Sequence, residues 1–294
     1  MFTINRSEAH LDVSTYYDRN TRRFLRYSDG ANTGALHRKL WPPEVHTKAE
    51  ALLHVNSIIY RIFERELQGL PMHEKALGRG DEGAMRIIDL GCGVGGTVLW
   101  LAERLHADLV GVTISPVQAE IARESAAWRG LGKRCSFRVA DFLDLPSLGH
   151  FHGAVAVESF AHARSAGGFF GQVSRILVRG GVLILMDDMK EEGAEHHGRA
   201  SRWICRFEKG WHLYGLSTVP LICASAGRSG FTLVENRDLT PLIRVNPLLL
   251  FTLRPLAALP MPFYGYDTIR GSVALQHCIR RGYTRYRCMV FRKE

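Results

Sequence analysis

The sequence lacks the features that mark disulfide-stapled, membrane-anchored or nucleic-acid-coating proteins. Its six cysteines (Cys92, Cys135, Cys205, Cys223, Cys278 and Cys288) contain no C-x-x-C pair, which excludes the common zinc patterns and a disulfide ladder and points to reduced thiols. Long apolar runs are missing too. The most apolar stretch, residues 247–263, is interrupted by Arg254 and three internal prolines, well short of the roughly 20 residues of a bilayer span. The opening residues MFTINRSEAHLDVS show no apolar run after a basic start, so no secretory signal is read and a cytoplasmic location is expected. The net charge of +9 is not gathered into a tract, because arginines stand singly or in small groups (Arg22, Arg23, Arg26; Arg280, Arg281) among acids and apolar residues. Nucleic acid is therefore not an expected partner, while a small anionic substrate gripped by guanidinium forks stays open. There is no internal repeat and no low-complexity tract.

What is present is enough for one α/β domain with an extension: 294 residues, 46% apolar and 23% charged. In the first eighty residues apolar side chains recur at helical spacing (Tyr17, Phe24, Leu25; then Leu52, Val55, Ile59, Ile62), predicting two helices around a loop at 29–43. A polar hinge, Gly78-Arg79-Gly80-Asp81, follows. Beyond it, short apolar runs predict strands at 86–90, 109–113, 136–139, 153–157, 182–186, 231–235 and 286–291. Helices are predicted between them at 97–105, 116–129, 166–178 and 217–229. This alternation implies a parallel, doubly wound sheet. The chain divides into a helical cover at 1–80 and a ligand-binding domain at 81–294, with lid segments at about 190–215 and 241–285.

After the first strand comes Asp89-Leu90-Gly91-Cys92-Gly93-Val94-Gly95-Gly96, whose glycines permit a tight turn and close backbone approach to a nucleotide-like ligand. Gly91, Gly93 and Gly96 also satisfy the dinucleotide fingerprint, but the second strand ends Gly111-Val112-Thr113-Ile114-Ser115 without the ribose-binding acid such sites need. Asp89-x-Gly91-x-Gly93-x-Gly95 instead resembles motif I of the class I S-adenosylmethionine-dependent methyltransferases. Residues 111–118, ending in Pro116-Val117-Gln118, resemble the second-strand segment of the sterol, tocopherol, cyclopropane and prenyl C-methyltransferases, where Thr and Gln replace the ribose acid. Asp141-Phe142 resembles the pair that holds and covers adenine. Tyr16-Tyr17-Asp18, Thr21 and Phe24, with His37 beyond, resemble the Y-Y-D-x-x-T-x-x-[FY] element and following His of sterol-type and geranyl diphosphate C-methyltransferases.

The resemblance implies a Rossmann-like class I methyltransferase fold, a seven-stranded mainly parallel sheet with helices on both faces, the seventh strand antiparallel, an N-terminal helical extension and inserted lids. It implies S-adenosyl-L-methionine as cofactor, with Asp89, Gly91, Gly93 and Gly95 around the methionine, Tyr17 against it, Thr113, Ile114 and Gln118 at the ribose, and Asp141 and Phe142 at the adenine. Glu158, at the end of the fourth strand, resembles the glutamate that lies near the transferred methyl in those enzymes. A carboxylate there suits the chemistry, since alkylation of an alkene leaves a carbocation, which an anion can stabilise and then deprotonate. The competing reading is a carboxylate that only binds cofactor or its own loop. His162 is an alternative base or an orienting partner of Glu158.

On the acceptor side, His37, Arg38, Trp41, Phe160, Arg199 and Trp203 are candidates, the aromatic rings by cation–π attraction, although each tryptophan is more often core than cage. Arg199, Arg202 and Arg206 share one helical face that suits a diphosphate, with magnesium if the family habit holds, or forms a solvated stripe. Glu195, His196 and His197 lack the spacing of a metal site on one helix face. The apolar insertion at 246–266 suits an isoprenoid tunnel, an oligomer interface or a buried helix pair. The expectation is methyl transfer to an alkene carbon of geranyl diphosphate or a related prenyl diphosphate in terpenoid biosynthesis, by a homo-oligomer. Three rivals stand beside it: a prenyl chain on an aromatic alkaloid, a sterol-like or quinone acceptor, and a cofactor-binding scaffold without turnover.

Overall fold

Strands and helices alternate from residue 85 onward, because each apolar run is too short for a helix and is bounded by turn residues. A computed structural model describes residues 6–27, 34–68, 84–196, 198–245, 247–248, 250 and 266–294. In chain order the elements are α1 (Arg6–Tyr27), α2 (Lys48–Leu67), β1 (Met85–Leu90), α3 (Gly96–Ala102), β2 (Ala107–Thr113), α4 (Pro116–Trp128), β3 (Cys135–Val139), β4 (Phe151–Val157), α5 (Ala166–Ile176), β5 (Leu177–Lys190), α6 (Gly198–Gly210), α7 (Val219–Arg228), β6 (Phe231–Asp238), α8 (Tyr266–Arg281) and β7 (Thr284–Lys293).

The sheet order is β3-β2-β1-β4-β5-β7-β6. The first five strands run parallel, and β7 is antiparallel to both β5 and β6. Strand order reverses between β1 and β4, so a crevice opens at their carboxyl ends, where α/β sheets bind ligands. Side-chain alternation along the strands divides the core in two. Ile87 of β1 and Val182, Ile184 and Met186 of β5 pack against Val55, Ile59 and Phe63 of α2. Their neighbours Ile88, Leu183 and Leu185 pack on the other face, against Phe169 and Val173 of α5 and Ile222 of α7.

Local chemistry sets the helix starts. Thr47 and Glu50 form a reciprocal capping box at α2. Ser115 caps α4, with Pro116 in its first turn.

Several elements exceed the sequence expectation, β5 and α8 furthest. β5 continues past 186 to Lys190, because β7 pairs with it as far as Lys190↔Thr284. α8 is a helix where only a lid segment was expected, and it packs with α6 around Trp203, Ile204, Phe207, Val273, Ala274 and Cys278. The two helices cross with backbones touching: a Cβ on Gly210 would fall 2.4 Å from Gly271 Cα. Of the 246–266 insertion only 247, 248, 250 and 266 fall within the described residues. No helix among the described residues is long and apolar enough to cross a membrane. All six cysteines are free.

Candidate active site

The glycine turn after β1 is held by β2, since Gly91 and Cys92 both donate backbone N–H to Val112 O, at 2.8 and 2.9 Å. Gly91 has φ 91°, and a Cβ there would lie 2.4 Å from Ser159 Cβ. Ser159 is itself fixed, its Oγ donating to Leu90 O at 2.5 Å. The first motif position therefore admits glycine on two independent grounds, dihedral and space. Beneath the turn Asp89 is buried, and burial pushes its carboxyl up to about 7.

At the end of β2, Thr113 Oγ1 donates to Gln118 Oε1 at 2.7 Å, and Gln118 Nε2 donates to Thr21 Oγ1 at 3.2 Å. Ser115 Oγ accepts from Gln118 N at 3.1 Å and donates to the Asp18 carboxylate. Ser14 Oγ donates to Ile114 O at 3.0 Å. One face of α1 thus grips the loop expected to hold the ribose. The next residue round the helix, Tyr17, shares a 3.0 Å hydrogen bond with His162 Nε2. Burial raises the Tyr17 phenol above its ordinary range and lowers His162 to about 4, so both are neutral near pH 7.

Beyond β3, Asp141 Oδ1 accepts from Leu143 N at 2.9 Å, while its other oxygen lies 3.5 Å from the Arg164 guanidinium. Phe142 meets Phe169 edge-on, with ring centroids 5.7 Å apart.

Glu158 follows β4 in a left-handed conformation, φ 51°, which costs a non-glycine residue about 1–2 kcal/mol. Its N–H donates to Met186 O at 2.8 Å, and its Oε1 accepts the Arg38 backbone N–H at 2.8 Å. The Arg38 guanidinium does not point at an open site. Both its arms bond Asp188, one at 2.7 Å, and its Cζ lies 5.0 Å from the centre of the Tyr286 ring. Burial opposes the charge on Arg38, but Asp188, with Glu158 behind it, holds the guanidinium above its ordinary range. Asp187 accepts from Ala161 N at 2.9 Å and Asp188 N at 2.8 Å, and burial, reinforced by Asp188, lifts it to about 7.

Many of these groups border one cavity of about 380 Å³. Of the residues expected at the cofactor, all but Gly95 line it, and Gly95 begins α3 with φ 83°. Glu158, His162, His37 and Arg38 line it as well. Trp41, Phe160, Arg199 and Trp203 are not brought there. Trp41 stacks under Arg244 at 4.0 Å. Phe160 is core, 5.0 Å from Phe169 and 6.1 Å from Phe170. Trp203 stacks on His277 at 4.1 Å, and Arg199 is exposed at the start of α6. The cavity is also lined by Phe207, Trp211, Leu213 and Leu275, from α6, the turn after it and the last helix, α8, and sequence reasoning singled out neither Phe207, Leu213 nor Leu275. It also passed over Asp187 and Asp188, whose signal was two acids closing the fifth strand. Among the described residues no group of three or more His, Cys, Asp or Glu side chains is arranged to hold a metal ion.

A glycine turn after β1, a glutamine after β2, an acid after β3 and a second acid after β4 are arranged as in the class I methyltransferase fold, whose cofactor is S-adenosylmethionine. The donor set fits that cofactor: buried Asp89 suits an ammonium, Gln118 ribose hydroxyls, and Asp141 an exocyclic amine. Residues 87–181 match the model of a family described as a methyltransferase domain. Over 164 residues it is 31% identical to 24-methylenesterol C-methyltransferase 2 of Oryza sativa subsp. japonica, covering 52% of this chain and 43% of the relative. Over 102 residues it is 37% identical to the chloroplastic tocopherol O-methyltransferase of Arabidopsis thaliana, covering 34% and 29%. The chain thus matches less than half the length of either relative. Geranyl diphosphate C-methyltransferase from Streptomyces coelicolor A3(2), solved with Mg2+, geranyl diphosphate and S-adenosyl-L-homocysteine, has the same fold, with a TM-score of 0.68 at 18% identity over 97% of this chain and 98% of that one.

Proposed function

We propose that the protein methylates an alkene carbon of an isoprenoid acceptor, with geranyl diphosphate or a related prenyl diphosphate as the acceptor that the resemblance implies. The observation that carries this reading is Glu158: a carboxylate at the carboxyl end of β4, bordering the cavity and anchored through one oxygen by Arg38 N–H at 2.8 Å. Bound S-adenosylmethionine supplies an electrophilic methyl group on a sulfonium. Asp89, Gln118 and Asp141 hold the cofactor's three parts. Glu158, with Oε1 committed to Arg38, offers its other oxygen to the cation formed on the acceptor and takes the proton that restores the alkene. Tyr17 and His162, both neutral, close the cavity beside it and keep water from the cation. Phe207, Trp211 and Leu275 provide the apolar wall for the acceptor chain.

One observation favours a second reading of the acceptor's head. Among the described lining residues Arg38 is the only Arg or Lys, and both its arms are spent on Asp188. That lining suits a neutral head, such as a prenyl chain on an aromatic ring. Among the described residues no three His, Cys, Asp or Glu side chains gather into a magnesium site that stands without the acceptor's own phosphates. The deciding experiment is mass spectrometry of the protein incubated with S-adenosylmethionine and geranyl diphosphate, with magnesium or with EDTA, beside a prenylated indole. A methylene gained on the diphosphate and lost with EDTA establishes the first acceptor. Gain on the prenylated indole alone establishes the second, and gain on neither overturns both.

A further inference from the structure

We propose that Asp188 is a positioning residue for Glu158, acting through Arg38. The inference rests on the reading of Glu158 as the acceptor-facing carboxylate and names what holds it in place. Glu158 Oε1 is bonded not by a side chain but by the backbone N–H of Arg38, at 2.8 Å. Residues 34–38 line the cavity, and 34–41 belong to no strand or helix, so no ladder fixes that N–H. The segment is tied farther along, where Leu40 N donates to Ala51 O at 2.9 Å and Trp41 N to Leu242 O at 2.7 Å. At Arg38 itself the carbonyl lies 3.2 Å from the neighbouring His37 Nδ1, and the tie to the sheet is the side chain. Its guanidinium forks onto both oxygens of Asp188, a buried residue near the end of β5, and rests over Tyr286 of β7. A planar fork on a planar carboxylate fixes direction as well as distance.

The clasp therefore converts the rigidity of β5 and β7 into a fixed backbone donor for the carboxylate after β4. It also sets one positive charge beside three carboxylates, among which Glu158 and Asp188 both disfavour ionisation of Asp187, and Glu158 disfavours that of Asp188. A guanidinium used in this way is not free to bind the acceptor, although its place in the sequence suggested that role.

The test uses the full chain and two independent cuts of the clasp, Asp188→Asn and Arg38→Met, the second of which keeps the backbone donor. Hydrogen exchange at the Arg38 amide, read by NMR without any acceptor, is expected to quicken about tenfold or more in each. Glu158→Gln is expected to quicken it similarly, and the double variant with Asp188→Asn no further, because both act on one bond. Cofactor affinity by calorimetry is expected to stay within about twofold, while kcat falls at least about tenfold with KM for S-adenosylmethionine unchanged. An unchanged Arg38 amide in both cuts overturns the inference, as does a double variant whose effects multiply. Loss of cofactor binding in both cuts assigns the pair to the fold and overturns it too. Full turnover by Glu158→Gln rejects the base assignment instead; a crippled Glu158→Gln beside clasp variants of normal kcat rejects the clasp alone.

Discussion

Thr21 on α1 accepts a 3.2 Å hydrogen bond from Gln118, a residue 97 positions later that borders the cofactor side of the cavity. The Thr21 hydroxyl in turn donates to Tyr17 O at 2.7 Å, so the amide is held by the helix itself. Thr21→Val leaves the buried Gln118 Nε2 without this acceptor. The expected cost is about 1–3 kcal/mol, read as a lowered unfolding midpoint in denaturant and several-fold weaker cofactor binding. Thr21→Ser restores the hydroxyl and recovers most of both.

Gly91→Ala forces a Cβ to within 2.4 Å of Ser159 Cβ and into a φ of 91°. A loss of about 2 kcal/mol or more is expected, with cofactor binding abolished. Pairing it with Ser159→Gly removes the collision but not the dihedral strain, so only part of the stability returns. Complete recovery in the pair would assign the whole effect to sterics.

Glu158→Gln keeps the size of the side chain but removes the charge and the basic oxygen, leaving the Arg38 N–H a weaker, neutral acceptor. Methyl transfer is expected to drop by about 10²–10⁴-fold, with cofactor affinity unchanged in calorimetry. Equal turnover in variant and parent would remove Glu158 from the chemistry.

Asp89 gives a pH signature. Its carboxyl is pushed by burial from 3.8 to about 7, so between those values the folded chain keeps a proton that the unfolded chain has lost. The contribution of Asp89 to stability is present below the lower value and lost as pH rises through the upper one. Asp89→Asn should therefore gain on the parent with rising pH, by up to about 4 kcal/mol above neutrality in the ligand-free protein. Urea titrations at pH 5 and pH 8 compare the two chains. An ammonium bound beside the carboxylate draws its proton off, so cofactor binding at pH 6 should release protons, and less so in Asp89→Asn. Calorimetry in two buffers of different ionisation enthalpy measures this.

Much of the sheet could be read from composition and order, because parallel strands buried on both faces are short apolar runs whose period needs no partner to be seen. Asp89 near the end of β1, Gln118 in the first turn of α4 and Asp141 after β3, read for the cofactor from their places in the sequence, also come together on one cavity. The acceptor side was less legible. Arg38 looked like a free cation, and only the fold shows that Asp188, 150 positions away, has claimed it. Phe160 lies two residues from Glu158, yet a short 3-10 turn over Phe160–His162 sends its ring into the core. The role of Asp18 and Thr21 depends on α1 docking against α4, contacts that join residues 97 apart. α8 escaped notice because Gly271 sits within it, and a glycine there reads as a break.

That glycine has a consequence for the range of acceptors. With Gly210 and Gly271 in backbone contact, the two cap helices cannot slide past one another or separate slightly to suit a bulkier guest without giving up their closest packing. Tolerance for chain length and branching must then reside in the side chains that project from the crossing, Phe207, Trp211 and Leu275, and not in a breathing of the cap. Trimming Phe207 or Leu275 should widen the repertoire in steps of a methylene or ring, like changing the last on which a shoe is cut, while the frame that carries it keeps its shape.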